Sequence, residues 1–249
     1  MPYIYGRNPV LEALRHGKPV QKIYLQHGQQ QARVADIYKM AGRKRVQVVN
    51  ADPGKLRNMV GEVTHQGVVA LVAEIPLRHL EDLLTDIVSW PAPFTLVVVD
   101  QIQDPHNLGA IIRSAEVLGA RGVVLSPRDT APVTDTVVKA SAGAVLHCPV
   151  YQVPNLAQLL PLLKEQGVWI CGTALDAESG IWESDLNRNL VVIIGNEERG
   201  MRPTLRKQCD LVFRIPQSGH IQSLNASVAT GVVLSEVLRQ RRAAATPSA

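Results

Sequence analysis

Three short polar clusters each follow an apolar run, and they hold the residue types best suited to chemistry. The first, residues 100–115, carries Asn107 and Arg113, six positions apart. Both could point to the carboxyl end of the preceding strand if a helix begins at about Asn107. The second, residues 194–201, carries Gly195 and Gly200, which permit close backbone approach, and the carboxylate of Glu197. The third, residues 213–231, passes through Ile215, Pro216 and Gly219 to Ser223, Leu224, Asn225 and Ser227. There a helix starts, and its free N–H groups need oxygen partners. Junctions of this kind, at the carboxyl ends of strands, are where α/β proteins place ligands. The competing reading of the third cluster is an ordinary capped strand-to-helix unit.

Several chemistries are unsupported. No GxGxxG follows a strand, no GxxxxGK[ST] occurs, and neither GxSxG nor HExxH is present. His106, His147 and His220 are isolated from one another, and Ser223 has no neighbouring histidine. Cys148, Cys171 and Cys209 are far apart and form no CxxC pair, which fits buried thiols in a cytoplasmic protein and argues against zinc or any other metal. No apolar run is long enough to span a bilayer, and the first residues lack the form of a signal peptide.

The elements that must position the clusters follow from hydrophobic periodicity. From residue 95 the pattern alternates strand and helix: strands at 95–100, 122–125, 147–150, 168–171, 190–194 and 211–215, with helices from Asn107, at 134–141, at 156–163, a short one from Pro203, and a last one from about Ser223. Continuous apolar strands of this type predict one parallel sheet covered on both faces. Residues 1–72 read as a separate small α/β module, and residues 73–93, bracketed by Pro76, Pro91 and Pro93, as a connection carrying one amphipathic helix. The third segment, 94–242, is then the chemical body.

The chain has 249 residues, 46% of them hydrophobic, enough for a real core in each part. Its net charge of +4 is unevenly spread. Residues 1–72 hold 11 basic against 4 acidic side chains, a balance of +7, and the remainder holds 15 against 18, a balance of −3. A basic module joined to a slightly acidic one predicts a polyanion-binding arm. Arg43, Lys44 and Arg45 form its densest cationic turn, able to grip phosphates.

Asp104-Pro-His-Asn-Leu-Gly-Ala with Arg113-Ser-Ala, then Ile194-Gly-Asn-Glu with Arg199-Gly-Met, then Ile215-Pro with Ser223-Leu-Asn-Ala-Ser-Val-Ala, in this order, resemble the motifs of the SPOUT-class RNA 2′-O-ribose methyltransferases of the TrmH/SpoU type. Tyr5-Gly-Arg-Asn-Pro-Val-Leu-Glu-Ala-Leu and His65-Gln-Gly-Val-Val-Ala resemble the ribosomal-protein-like RNA-binding domain at the front of the branch that methylates a guanosine of 23S rRNA. The resemblance implies a parallel sheet tied in a trefoil knot, a homodimer, and S-adenosyl-L-methionine as the methyl donor. It implies cofactor contacts from Thr173, Ala174, Gly195, Ile215 and Leu224, and an RNA-binding role for the first module, in which Arg7 joins the cationic turn. It assigns catalysis to the region of Asn107, Arg113, Glu197, Ser223 and Asn225.

A ribose hydroxyl is a weak acid, so its proton must be accepted or its oxyanion stabilised. A guanidinium rarely loses its proton, so Arg113 is expected to hold a phosphate and act electrostatically rather than as a base. Asn107, Ser223 and Asn225 are expected to orient ribose and cofactor, with Glu197 ordering its loop. Where family members often carry Gly, this chain has Glu198, expected to be a solvated loop charge. The alternatives are a 2′-O-methyltransferase acting on tRNA or on an adenosine, and a non-catalytic RNA-binding or ribosome-assembly factor.

Overall fold

A computed structural model describes residues 3–15, 19–72, 75, 77–220 and 223–245. The chain divides into two compact units, residues 1–75 and 76–249.

The first unit runs β1 (Tyr3–Tyr5), α1 (Arg7–Arg15), β2 (Val20–Gln26), α2 (Gln31–Lys44), β3 (Gln47–Ala51), α3 (Pro53–Val60) and β4 (Val68–Val72). Its sheet has the order β1-β4-β2-β3, with β2 and β3 parallel and the other pairs antiparallel. Val34, Ile37 and Ala41 recur at helical spacing on α2 and pack with Val10, Leu11 and Leu14 of α1 against Ile23, Leu25, Val68 and Ala70 of the sheet. Leu56 of α3 covers the opposite face with Ala51 and Val69.

The second unit continues with β5 (Leu77–Arg78), α4 (Leu80–Ser89), β6 (Thr95–Val99), α5 (Pro105–Val117), β7 (Val123–Leu125), α6 (Asp135–Ala140), β8 (Val150–Gln152), α7 (Leu156–Glu165), β9 (Trp169–Thr173), β10 (Ser179–Gly180), β11 (Leu190–Ile194), α8 (Pro203–Arg206), β12 (Leu211–Arg214) and α9 (Ala226–Ala245). All strand pairs are parallel, in the order β10-β12-β9-β11-β6-β7-β8-β5. Leu96, Val98, Val191 and Ile193 face a layer that includes Leu159, Leu160 and Leu163 of α7. Their neighbours Val97, Val99, Val192 and Ile194 are equally buried, so both faces of the sheet are covered. On the second face α5 packs against α6 and α9.

Of residues 73–93, read from sequence as a connection, 73, 74 and 76 lie outside the described residues. The remainder holds β5 and α4, and Leu83 and Ile87 of α4 are buried in the second unit's core. Four local differences from the sequence reading have simple causes. Asp104 caps α5 by accepting from His106 N, so this helix starts at Pro105 and not at Asn107. Asn225 caps α9, which therefore starts at Ala226 and not near Ser223. The strand expected at 147–150 lies instead at Val150–Gln152, because a 3₁₀ turn at Ala144–Leu146 precedes it. β1, β5 and β10 are only two or three residues long, too short to show a period.

Candidate active site

The carboxyl ends of β9, β11 and β12 and the start of α9 surround a crevice of about 290 Å³. Thr173, Ala174, Gly195, Ile215 and Leu224 line it, and so do Glu197 and Ser223. Seven of the ten residues expected to hold the cofactor or to act in catalysis therefore meet in one place.

The floor depends on the loop after β11. Asn196 and Gly200 exchange main-chain hydrogen bonds of 3.1 and 2.8 Å, closing a narrow hairpin. A Cβ on Gly195 would lie 2.4 Å from both Gly200 C and Met201 N, so only glycine lets the loop fold back on itself. The Asn196 side chain fixes the turn from inside, since Oδ1 accepts from Glu198 N at 3.0 Å and Arg199 N at 3.2 Å, while Nδ2 donates to Gln101 O at 3.2 Å. Glu198 itself is exposed at the crevice edge.

Glu197 joins three elements. Its Oε1 accepts from Asn107 Nδ2 of α5 at 2.6 Å, from Asn225 Nδ2 at 3.4 Å and from Ala226 N at 3.3 Å. A carboxylate at a helix start also offsets the helix dipole. Asn225 Nδ2 donates to Asn107 Oδ1 at 2.9 Å, and Asn225 Oδ1 accepts from Ser227 N at 2.9 Å and Ser227 Oγ at 2.6 Å. Asn107, Glu197 and Asn225 are thus one hydrogen-bonded cluster at the crevice rim. Arg113 is not part of it. It is exposed on α5 and does not line the crevice.

Beneath the loop lies a group that sequence reasoning passed over. Asp100, fully buried at the end of β6, accepts from Arg202 N at 2.8 Å. Arg202 Nε lies 2.7 Å from Asp100 Oδ1, an ion-pair approach without hydrogen-bond alignment, and neither of these atoms has a hydrogen-bond partner. Arg202 Nη1 donates to Asp129 at 2.9 Å. Burial raises the pKa of Asp100, and Arg202 only partly offsets that effect. A carboxylate closing an otherwise apolar strand was the available signal. Across the mouth Arg206 donates to Asp176 at 2.9 Å, and that hydrogen bond holds the Asp176 carboxyl below its usual range.

In the first unit Arg7 opens α1, while Arg43 and Lys44 end α2 and Arg45 follows it with left-handed φ 56°. Arg7 shares a surface cavity with Gln29 and Gln30, at the start of α2. The cationic turn is a 14-residue helix away, about 21 Å. The four expected RNA contacts therefore occupy two ends of the unit.

Among the described residues no helix is long and apolar enough to cross a membrane, and no group of three His, Cys, Asp or Glu side chains is placed to hold a metal ion. Cys171 and Cys209 lie next to the core, and burial pushes their thiols up to about 12 and about 11.

Comparison with known proteins agrees with this geometry. The SpoU rRNA Methylase family matches residues 95–235, and the RNA 2′-O ribose methyltransferase substrate binding domain matches residues 3–77. YacO of Bacillus subtilis, assigned to the TrmH family of tRNA/rRNA methyltransferases, is 36% identical over 240 residues, 96% of each chain. The SpoU methyltransferase AviRb of Streptomyces viridochromogenes, solved with AdoMet, superposes with a TM-score of 0.66 at 26% identity, over 97% of this chain and 90% of that one. An AdoMet-bound rRNA methyltransferase of Sinorhizobium meliloti gives 0.63 at 25% identity, over 95% and 86%. The crevice at the strand ends, the Asn107–Glu197–Asn225 cluster and these matches lead to one conclusion: the chain belongs to the SpoU/TrmH family of RNA methyltransferases.

Proposed function

We propose that the protein methylates a ribose 2′-hydroxyl of RNA, a guanosine of 23S rRNA, with S-adenosyl-L-methionine bound in the crevice of the second unit. The observation that carries this reading is the crevice itself. Its lining from Thr173, Ala174, Gly195, Ile215 and Leu224 presents main-chain groups beside apolar side chains, and the backbone approach at Gly195 leaves no room for a Cβ. A neutral adenosyl group needs fixed amides and an apolar slot, not a cationic cradle. When bound there, S-adenosyl-L-methionine supplies an electrophilic methyl carbon.

The chain's own residues then have distinct roles. Glu197 fixes the crevice loop to α5 and to the first N–H of α9. Asn107 and Asn225 hold that carboxylate, and Ser223 adds a hydroxyl at the rim toward the ribose. Arg113, exposed on α5, is free to meet a backbone phosphate and to stabilise the forming oxyanion as a fixed positive charge. Holding the hydroxyl in line with the methyl donor contributes much of the acceleration.

A homodimer in the cytoplasm fits the same reading. Val117 of α5 and Val228 of α9, 68% and 51% exposed, put apolar surface on adjacent packed helices that a second copy would cover. The return of β12 to the far side of β9 after β11 supports a knotted path. Residues 1–72, which make up most of the first unit and carry the positive balance, serve as the RNA-binding domain, and residues 94–242, within the second unit, as the catalytic domain.

The test is transfer of tritium from labelled cofactor to ribosomal RNA and to tRNA, followed by mass mapping of ribose methylation. Label in a guanosine of 23S rRNA is the expected result. Label in tRNA alone moves the substrate, and label in neither leaves an RNA-binding factor. Single-turnover rates of Arg113→Lys against pH test the role of Arg113. A rate that tracks a lysine pKa would make this position a base.

A further inference from the structure

The first unit carries a surface cavity of about 740 Å³ where the start of α1, the turn after β2 and the loop before β4 meet. Its size lies within the range of about 300–1,000 Å³ typical of small-ligand sites. Arg7, Gln26, Gln29, Gln30, His65 and Gln66 line it, and no carboxylate does. Four primary amides in one concavity are an unusual lining. They offer paired donors and acceptors without charge.

The loop that presents them is held in a costly shape. Gln66 is left-handed, with φ 51°, although it is not glycine. Gln29 Nε2 donates to Gln66 O at 2.7 Å, Arg7 N donates to Gln66 Oε1 at 3.2 Å, and Gly67 N donates to His65 Nδ1 at 3.0 Å. Gly67, at φ 70°, lets Gln29 lie across it, since a Cβ there would sit 1.9 Å from Gln29 Nε2. Three segments of chain are therefore spent on fixing two amide groups. Among the described residues no hydrogen bond uses Gln29 Oε1 or Gln66 Nε2, which leaves an acceptor oxygen and an NH2 donor group unused on two residues that line the cavity.

We infer that this cavity is a subsite for an unpaired nucleobase of the RNA substrate, read by Gln29 and Gln66, with Arg7 on the adjoining phosphate. The inference rests on the reading of this unit as the RNA-binding domain. A donor and an acceptor lining one cavity can meet the hydrogen-bonding edge of a base. Duplex RNA hides those edges in a narrow groove, whereas a loop or bulge splays them out. The cationic turn at the far end of α2 offers charge only, and charge contacts carry no base information. The two ends of the unit thus have different tasks: Arg43–Arg45 contribute affinity, and the glutamine cavity selects single-stranded RNA.

The experiment measures binding of the full chain to two synthetic RNAs of the same stem, a hairpin with a single-stranded loop and a blunt duplex, by fluorescence anisotropy. The wild type is expected to prefer the hairpin by at least about tenfold. Gln29→Ala and Gln66→Gly should each abolish that preference and leave duplex binding unchanged. Glycine at position 66 keeps the left-handed backbone, so this variant folds, as circular dichroism can verify. Arg43→Gln with Lys44→Gln should weaken both RNAs alike and keep the preference. Equal binding of hairpin and duplex by the wild type, or a preference that survives both glutamine substitutions, overturns the subsite. Calorimetry with adenosylhomocysteine on the same proteins reads the second unit separately, so failure of this inference is not confused with failure of the methyl-transfer reading.

Discussion

Beneath the crevice loop of the second unit an acid–arginine pair is built into the fold, whereas the ion pairs among the described residues of the first unit stand at its surface. Asp100 is fully buried under the crevice loop against Arg202, and Arg202 reaches on to Asp129. In the first unit Arg57 and Glu62 approach to 3.4 Å with 66% and 83% of their side chains exposed, and Arg15 and Glu12 to 2.9 Å with 54% and 52%. Pairs of the second kind contribute about 0–1 kcal/mol, whereas removing the buried acid of the first kind leaves a half-buried guanidinium with Asp129 alone. The proposed contacts divide in a similar way: internal polar contacts hold the crevice loop of the second unit, whereas the cationic turn proposed to meet phosphate in the first unit is exposed.

The sharpest way to break this contrast is to remove Asp100. Asp100→Ala leaves Arg202 without its buried partner and is expected to cost about 3 kcal/mol of stability in urea unfolding, the low end for such pairs because Asp129 remains. Arg57→Ala should change stability by no more than about 0.5 kcal/mol. Equal losses would show that burial does not separate the two regions.

Gly195→Ala comes next. Its new methyl must displace backbone of Gly200 and Met201, not the end of a flexible side chain. We expect about 1–3 kcal/mol of destabilisation and loss of adenosylhomocysteine binding by calorimetry. Gly54→Ala in α3 has open space and an ordinary φ, so it should stabilise the first unit by about 0.5 kcal/mol.

A pH series tests the buried carboxyl directly. Asp100 has a raised pKa in the fold, while its unfolded value stays near 3.8. Below 3.8 both states hold the proton, and the contribution of that proton is fully present. It is lost as pH rises through the folded pKa, because the unfolded chain releases the proton first. Asp100→Asn keeps the shape and removes the titration. The stability of the wild type relative to this variant should therefore fall with rising pH across that window. A flat difference would mean that Arg202 fully compensates burial.

The same division governs what could be read from sequence. The alternating apolar strands and helices of the second unit were legible because burial on both faces writes long runs such as Leu96–Val99 and Leu190–Ile194. Gly195, Glu197 and Ser223 stood out as glycine and polar types at strand ends, whereas Thr173, Ala174, Ile215 and Leu224 were implied as cofactor contacts only by the resemblance to the TrmH/SpoU motifs. The Asp100–Arg202 contact was not legible, since 102 positions separate the partners and only the carboxylate, closing an apolar strand, stands out in the sequence. The positive balance of residues 1–72 was plain, but not its arrangement. Arg7 and Arg43–Arg45 fall at opposite ends of α2 because helix length, not local sequence, sets their distance. The glutamine cavity was missed for a related reason. Gln26, Gln29 and Gln66 look like ordinary loop residues until the left-handed turn at Gln66 brings them together.

The smallest effect sharpens the comparison most. Arg43 and Lys44 sit in the last turn of α2, where cations favour the helix dipole by a few tenths of a kcal/mol each. Changing both to glutamine should therefore barely move the unfolding midpoint. If these side chains neutralise RNA phosphates, each contact releases counterions, and the slope of log affinity against log salt should shrink by about 0.7–0.9 per lost contact. The double variant should lower that slope by about 1.4–1.8 on the duplex and on the hairpin alike. A stability loss comparable to that of Asp100→Ala would show that the fold of the first unit needs these charges. An unchanged salt slope would move the phosphate contacts away from the cationic turn.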